Sequence, residues 1–315
     1  MTGSEAQRIS GMRVAVCGGL LTLLLWPQAV AAEPEWVERS LELANEARAA
    51  EGLEPLEIDE RLVAAAEAHA EDMLERDYYS HVSPEGETVR DRYLAEGGSE
   101  AKLVSENLAF CEGCPTPPGI ERVEAFHEGW MESPEHREAI LDPGLSAFGF
   151  AMRADGARVY GVQTFAGPGR PRGLTPDEEP EELPPDALRA HALEAINAAR
   201  DAEGLPPLEP SDDLDRVAED LAGDGRVEEP DAGLLDRLPE GAARDFAGFA
   251  TVTGGCAGCG RVPTATDLED FLEDWLAEPR LADTVLDAEA THLGYALTAD
   301  GEGRKAAAAV LGMGR

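Results

Sequence analysis

Apolar residues recur at intervals of three and four between residues 59 and 76, which is the spacing of a helix with one buried face. Similar spacing predicts helices over residues 34–50, 89–95 and 120–131. Ser133 and Pro134 are typical of an N-cap and a first helical position, so the pattern predicts that another helix begins there.

Three segments outside these helices are predicted to be strands. Residues 103–110 form one, and residues 148–153 and 158–165 flank a short turn that is typical of a β-hairpin. Helices thus alternate with a few strands, and most of the strands that pair lie in the later part of the domain. This order favours an α+β layered domain.

The pattern occurs twice. Most of residues 45–57 reappear 152 positions later, at 197–209, whereas Trp130 and Trp275 lie 145 positions apart, as do the two Cys-x-x-Cys pairs. Self-similarity of this length predicts two copies of one fold, of which the second is shorter by seven residues between these landmarks.

The first residues have the pattern of an export signal. Arg8 and Arg13 precede an uncharged run over residues 14–26, and small residues follow at 29–32. The run is shorter than the roughly 20 residues that a spanning helix needs. The sequence therefore predicts a signal peptide over residues 1–32 and a secreted chain with no membrane span after cleavage; an uncleaved anchor is the alternative.

The rest of the chain is predicted to form two domains joined by a linker. The first domain covers residues 33–166 and the second covers 187–315. The linker, over residues 167–186, is rich in proline, glycine and acidic residues.

Charge excludes some classes of partner. The 315 residues include 64 acidic and 26 basic side chains, for a net charge of −38. Nucleic-acid binding requires basic side chains against the phosphates, so we expect no nucleic-acid partner. The acidity also disfavours an anionic membrane surface. It fits saline surroundings or the composition of the source lineage equally well.

Four motifs in the first domain resemble the CAP superfamily (cysteine-rich secretory proteins, antigen 5 and pathogenesis-related proteins), in its bacterial SCP-like branch. They are SHVSPEG at 80–86, SENLA at 105–109, WMESPEHR at 130–137 and YGVQTF at 160–165, in that order. The resemblance covers residues 36–167 and implies an α-β-α sandwich with an open cleft. The second domain then looks like a degenerate copy.

The resemblance also implies a site. In this family two histidines and two glutamates line the cleft, and the histidine pair can hold a divalent metal, often zinc. His81, Glu106 and His136 match the family positions. The second glutamate falls at Ser133, with Glu132 one residue away, so the tetrad departs from the family pattern and these two residues are expected to line the cleft.

The residue types themselves allow two interpretations. Imidazoles and a carboxylate suit Zn²⁺ or a similar ion, and a histidine in a first helical turn is kept neutral by the helix dipole. Alternatively, His81 and His136 tie a loop to a helix by hydrogen bonds. His69, on an apolar helix face, is expected to be a hydrogen-bonding core residue.

Four cysteines remain after the predicted cleavage, and we expect the local disulfides Cys111–Cys114 and Cys256–Cys259, one in each domain. A thioredoxin-like redox pair and an interdomain Cys₄ zinc site are the alternatives. The second domain is expected to lack the cleft site, because Leu281 stands where the first domain has His136.

The sequence therefore favours a secreted binding module whose first-domain cleft holds a divalent metal or a small ligand, and whose surface meets an extracellular or envelope partner. One alternative is a metal-assisted hydrolase of peptide or cell-wall material, with Glu106 as general base. Another, implied by the resemblance, is a sterol- or lipid-binding protein. Neither a Gly-x-Ser-x-Gly elbow nor a phosphate-binding loop occurs in the sequence, and a binding role is favoured over an enzyme.

Overall fold

A computed structural model describes residues 34–175, 178–228, 238 and 246–315. The predicted signal peptide lies outside the described residues. The part of the chain that follows it forms a single compact unit. Within the described ranges, no helix is both long and apolar enough to cross a membrane.

The first repeat contains five helices and four strands within its described residues. They are α1 (Pro34–Ala50), β1 (Glu57–Ile58), α2 (Glu60–Arg76), α3 (Val89–Ala95), β2 (Leu103–Glu112), α4 (Ile120–Glu132), α5 (Pro134–Leu141), β3 (Ala147–Asp155) and β4 (Arg158–Gly167). These helices and the β3–β4 hairpin confirm the elements that the apolar spacing predicts.

The second repeat follows the same plan. Its described elements are α6 (Pro185–Ala202), β5 (Glu209–Pro210), α7 (Asp212–Ala222), β6 (Phe246–Cys256), α8 (Ala265–Ala277), α9 (Pro279–Val285), β7 (Ala290–Ala299) and β8 (Lys305–Gly314). The strand orders β1-β3-β4-β2 and β5-β7-β8-β6 are equivalent, which confirms two copies of one α+β fold.

Each face of the first sheet has its own apolar core, because side chains alternate between the two faces of a strand. On one face, α2 packs its Ala66 and Met73 against Val162 and neighbouring strand residues. On the other face, Trp130 of α4 and Ile140 of α5 pack against aromatic residues of the sheet. The result is the expected α-β-α sandwich, with β2 at the edge of its sheet.

The segment between the repeats differs from the sequence prediction at its start. Residues 178–184 are exposed or half-buried, as expected of an exposed linker. Pro168, Gly169 and Pro171 are buried instead. Pro168 and Gly169 are covered because their backbone pairs with the second repeat, a long-range contact that composition does not reveal. Pro171 lies beside Gly260 of the second repeat.

Candidate functional site

His81 lies on the loop between α2 and α3, with its ring held by a buried carboxylate. His81 Nδ1 lies 2.9 Å from Glu106 Oε1. A carboxylate only accepts, so Nδ1–H donates and Nε2 becomes the unprotonated nitrogen of the neutral ring. The His81 side chain is 57% exposed, whereas that of Glu106 is 1% exposed. The loop therefore presents a fixed imidazole to solvent.

Both carboxylate oxygens of Glu106 accept hydrogen bonds. Its Oε1 accepts from His81, and its Oε2 accepts from an Arg92 guanidinium nitrogen over 3.0 Å. The Arg92 side chain is 7% exposed, so this ion pair is buried. A buried carboxylate is costly unless it is paired and hydrogen-bonded, and Arg92 meets both conditions.

The backbone of the His81 loop is fixed by two side chains. His69, which is buried on α2, donates from Nε2 to the Ser80 carbonyl over 2.9 Å. Arg92 donates to the His81 carbonyl over 3.1 Å and, through its other terminal nitrogen, to that of Glu87. The prediction that His69 is a hydrogen-bonding core residue is confirmed.

Sequence reasoning missed Arg92. Arg90 and Arg92 look alike in the short helix α3, yet Arg90 donates to the backbone carbonyls of Lys102 and Glu100, whereas Arg92 pairs with the buried carboxylate. Nothing in the sequence distinguishes the two arginines.

His136 lies in the first turn of α5. Its Nδ1 shares a hydrogen bond with the Ser133 hydroxyl over 2.8 Å. Ser133 precedes the helix as predicted but makes no side-chain capping bond there, since its hydroxyl is taken by the histidine. The His136 carbonyl accepts from Asn107 Nδ2 over 3.0 Å, and Asn107 also donates to Gln163.

The edge strand β2 connects the two histidines. Its neighbouring residues Glu106 and Asn107 point to opposite faces of the sheet, as alternation along a strand requires. Glu106 holds His81 on the α2 side, while Asn107 holds the backbone of His136 on the α5 side. Asn107 lies in the SENLA motif and Gln163 in the YGVQTF motif, so these motifs were the sequence signal for this support, and both side chains are buried.

Burial favours the neutral form of two of the histidines. Desolvation lowers the pKa of His136, and a positive charge on nearby His81 would lower that pKa further. Desolvation also lowers the pKa of His69, partly offset by the charge of Glu106. The effect of a charge on His81 on the pKa of His136 indicates that the two rings lie near each other.

Glu132 is the last residue of α4 and is exposed. Within the described residues, no hydrogen bond or ion pair joins it to His81, Glu106 or His136. Tyr79 and Phe110, both exposed, form an apolar rim in which the ring centroids lie 6.0 Å apart. Partial desolvation and the charge of Glu106 raise the pKa of Tyr79, which indicates that this side chain lies near Glu106.

The side chains of the site supply only part of the ligands that a metal ion usually has. Among the residues that the structure describes, no group of three or more His, Cys, Asp or Glu side chains is arranged to hold an ion. The cleft offers two oriented imidazoles, and Zn²⁺ sites usually have three or four protein ligands. An ion held by His81 and His136 would depend on solvent or a bound molecule for its other ligands.

The described part of the second repeat has other residues at five of the corresponding positions. By the repeat and strand registers, the equivalents of His69, Glu106, Asn107, His136 and Gln163 are Leu221, Thr251, Val252, Leu281 and Ala309. Most of these residues pack within the apolar cores of the second repeat. Apolar side chains have thus replaced the buried polar network, and the second copy is degenerate as expected.

Each pair of cysteines is bonded within its own repeat, as Cys111–Cys114 and Cys256–Cys259, with Cα–Cα distances of 6.0 and 6.2 Å. The predicted local disulfides are confirmed. Their sulfurs are therefore not shared in an interdomain Cys₄ site.

The chain belongs to the cysteine-rich secretory protein (CAP) family, whose profile matches residues 41–165 and 193–311. It is 33% identical over 131 residues to YkwD of Bacillus subtilis (strain 168), covering 42% of this chain and 46% of YkwD. It is 32% identical over 149 residues to the B. subtilis membrane protein YlbC, covering 45% of this chain and 39% of YlbC. The chain thus spans less than half the length of either relative.

Among solved structures, an extracellular SCP-domain protein from Bacillus anthracis str. Ames is 25% identical, with a TM-score of 0.36, over 42% of this chain and 40% of that one. An outer surface protein from Borrelia burgdorferi is 23% identical, with a TM-score of 0.36, over 42% of this chain and 92% of that one.

The buried His69 predicts a pH-dependent stability. Its folded pKa lies below the ordinary value of about 6.5, so the unfolded chain binds the proton more readily. The part of the unfolding free energy that depends on a neutral His69 is therefore complete above about pH 6.5. It is lost as the pH falls toward and through the lowered pKa of the folded state. We expect the fall in unfolding free energy between pH 7.5 and 5 to be smaller in His69→Leu, because Leu221 shows that the fold accepts leucine here.

Urea unfolding at both pH values measures this difference. His191→Leu is the control, because His191 is more than one-third exposed. An equal fall in wild type and His69→Leu would show that His69 does not contribute to the pH dependence.

Proposed function

We propose that this chain is an extracytoplasmic binding module whose ligand site is the first-repeat cleft at His81 and His136. One observation carries the proposal: each imidazole has its Nδ1 held by an oxygen, on Glu106 or Ser133, which leaves Nε2 for a ligand. Histidines oriented in this way are typical of metal and small-ligand sites. The predicted signal peptide and the two disulfides support export.

The ligand that we propose is a divalent metal such as Zn²⁺, or a small molecule that binds between the imidazoles and the rim of Tyr79 and Phe110. Glu106 then acts from behind His81, fixing the ring and its tautomer, and is not itself a metal ligand. This modifies the sequence expectation, in which Glu106 shares the ion with the histidines. A Zn²⁺ ion bound here would accept electron pairs from the two imidazoles and polarise whatever else it coordinates.

The hydrolase alternative has less support. It requires Glu106 to accept a proton from water, yet both of its oxygens are hydrogen-bonded and its side chain is 1% exposed. A general base must be within hydrogen-bond reach of the proton that it removes. A binding role needs no such access, and it is the function that the geometry supports best.

Calorimetric titration of Zn²⁺ into the oxidised chain from Glu33 onward tests the proposal. We expect saturable binding of one ion, lost in the double variant His81→Ala/His136→Ala. The matched control is His191→Ala/His292→Ala, which removes the same number of partly exposed imidazoles from the second repeat. This control should bind Zn²⁺ as the wild type does.

Two results would contradict the metal proposal. Equal binding by all three proteins would show that the ion binds elsewhere, for instance at the acidic surface. Absence of binding by the wild type would leave the cleft with a small organic ligand alone.

A further inference from the structure

The second repeat contacts the first through a loop that its disulfide closes, residues 256–260, named here the clamp loop. Gly258 N donates to the Ala101 carbonyl over 2.9 Å, and Gly260 N donates to the Pro168 carbonyl over 2.9 Å. Ala101 belongs to the first repeat, and Pro168 belongs to the segment that directly follows its last strand. The repeats are therefore joined by backbone hydrogen bonds as well as by the chain between them.

The contact is closely fitted. Cys259 and Gly169 form an isolated antiparallel bridge. Gly169 has a φ of +70°, and a Cβ on it would overlap the carbonyl oxygen of Gly258. A residue with a side chain would thus force the two backbones apart. Glycine is the residue that permits both this backbone conformation and this approach.

Two ion pairs flank the clamp loop. Lys102 Nζ lies 2.5 Å from Glu302, and an Arg304 guanidinium nitrogen lies 2.5 Å from Glu100. The chain has two lysines among its 315 residues, and Lys102 is one of them. The clamp loop is held in turn by its own repeat, where Cys259 N donates to the Gly303 carbonyl over 3.0 Å.

The segment that the second repeat holds connects the two halves of the buried ion pair. Residues 99–102 follow α3, which carries Arg92, and precede β2, which carries Glu106. Arg90 of α3 donates to the backbone carbonyls of this same segment. Fixing residues 99–102 therefore fixes the strand and the helix that position His81.

We propose that the degenerate second repeat serves as a brace for the first, and that the disulfide-closed clamp loop holds residues 99–102 and 168–169 so that α3 and β2 keep their register. This role explains why the second repeat keeps the fold and its disulfide although it has lost the polar groups of the first-repeat site. It does not depend on what the cleft binds.

The first repeat provides a matched control. Its own loop, closed by Cys111–Cys114, has the same length and the same left-handed glycine, Gly113. Gly113 N donates to Ala157 of its own repeat, and a Cβ on Gly113 would meet no atom of the described residues within 4 Å. Opening this loop should leave the contact between the repeats intact.

Hydrogen exchange of the full chain tests the brace. In Cys256→Ser/Cys259→Ser we expect the β2 amides over residues 103–108 to exchange about tenfold faster than in Cys111→Ser/Cys114→Ser, because interface hydrogen bonds are lost in the first variant alone. Proteolysis between residues 170 and 184 should also be faster in the first variant. Equal exchange and equal cleavage in the two variants would overturn the proposal.

A second measurement covers the case in which Cys256→Ser/Cys259→Ser does not fold. In folded Cys111→Ser/Cys114→Ser the clamp disulfide remains. A phosphine reductant converts it to two thiols and becomes the phosphine oxide, with oxygen and two protons taken from water. Faster exchange of the same β2 amides after reduction supports the brace, and unchanged exchange after complete reduction contradicts it.

Discussion

Replacing Arg92 with methionine is expected to lower the free energy of unfolding by about 3–5 kcal/mol, because the variant leaves the Glu106 carboxylate buried without its cation. The same change removes the donors to the carbonyls of His81 and Glu87. The His81 loop should loosen as the chain is destabilised. Urea unfolding of the purified variant measures the effect.

Arg76→Met is the matched control, because Arg76 pairs with Asp72 and Glu85 at the surface of the same repeat, with its side chain 38% exposed. Surface pairs contribute about 0–1 kcal/mol, so this variant should be close to wild type. The double variant Arg92→Met/Glu106→Gln should be less destabilised than the sum of its single variants, since the uncompensated charge is gone. Equal effects of Arg92→Met and Arg76→Met would show that the buried pair does not hold the site.

Arg48→Lys is expected to lower the free energy of unfolding by about 3 kcal/mol or more, although the charge is kept. Arg48 is buried in α1, and its guanidinium donates to the carbonyls of Glu54, Ile140, Asp142 and Leu145. A lysine ammonium has three donors and lacks the planar fork, so some of these carbonyls lose their partner.

The second repeat repeats this arrangement, with Arg200 donating to the carbonyls of Pro206, Val285, Asp287 and Ala290. Arg200→Lys should therefore have a similar cost. Arg61→Lys is the control, because Arg61 forms a half-exposed pair with Asp59. Thermal and urea unfolding measure the series. If Arg48→Lys changes the free energy of unfolding by less than about 1 kcal/mol, the effect is no larger than that of a surface pair. Such a result would contradict the structural role proposed for Arg48.

Much of the fold was predictable because its helices carry long amphipathic patterns. The helix predicted over residues 34–50 matches α1, and the strand predicted over 103–110 ends two residues early, since β2 continues to Glu112. The strands β1 and β5 were missed. Each has two residues, and each forms by pairing with a strand about 80–90 residues further along the chain.

The candidate site was predictable for the residues within recognisable motifs. His81, Glu106, Ser133 and His136 stand in such motifs, and hydrogen bonds join them as two pairs. Arg92 and the capping behaviour of Ser133 were not predictable, because each depends on which partner is brought near by tertiary packing. The contact between the repeats was hidden for the same reason, since its hydrogen bonds come from backbone atoms that any sequence possesses.

The proposed ligand site requires that His81 and His136 present fixed Nε2 atoms to the same ligand. The most direct measurement is a ¹⁵N-imidazole NMR spectrum of the full oxidised chain during addition of Zn²⁺. We expect an Nδ1-protonated tautomer for His81 before addition. The Nε2 signals of His81 and His136 should then shift together, while those of His69, His191 and His292 do not shift. An Nε2-protonated His81, or equal shifts at His191 and His292, would contradict the proposed ligand site.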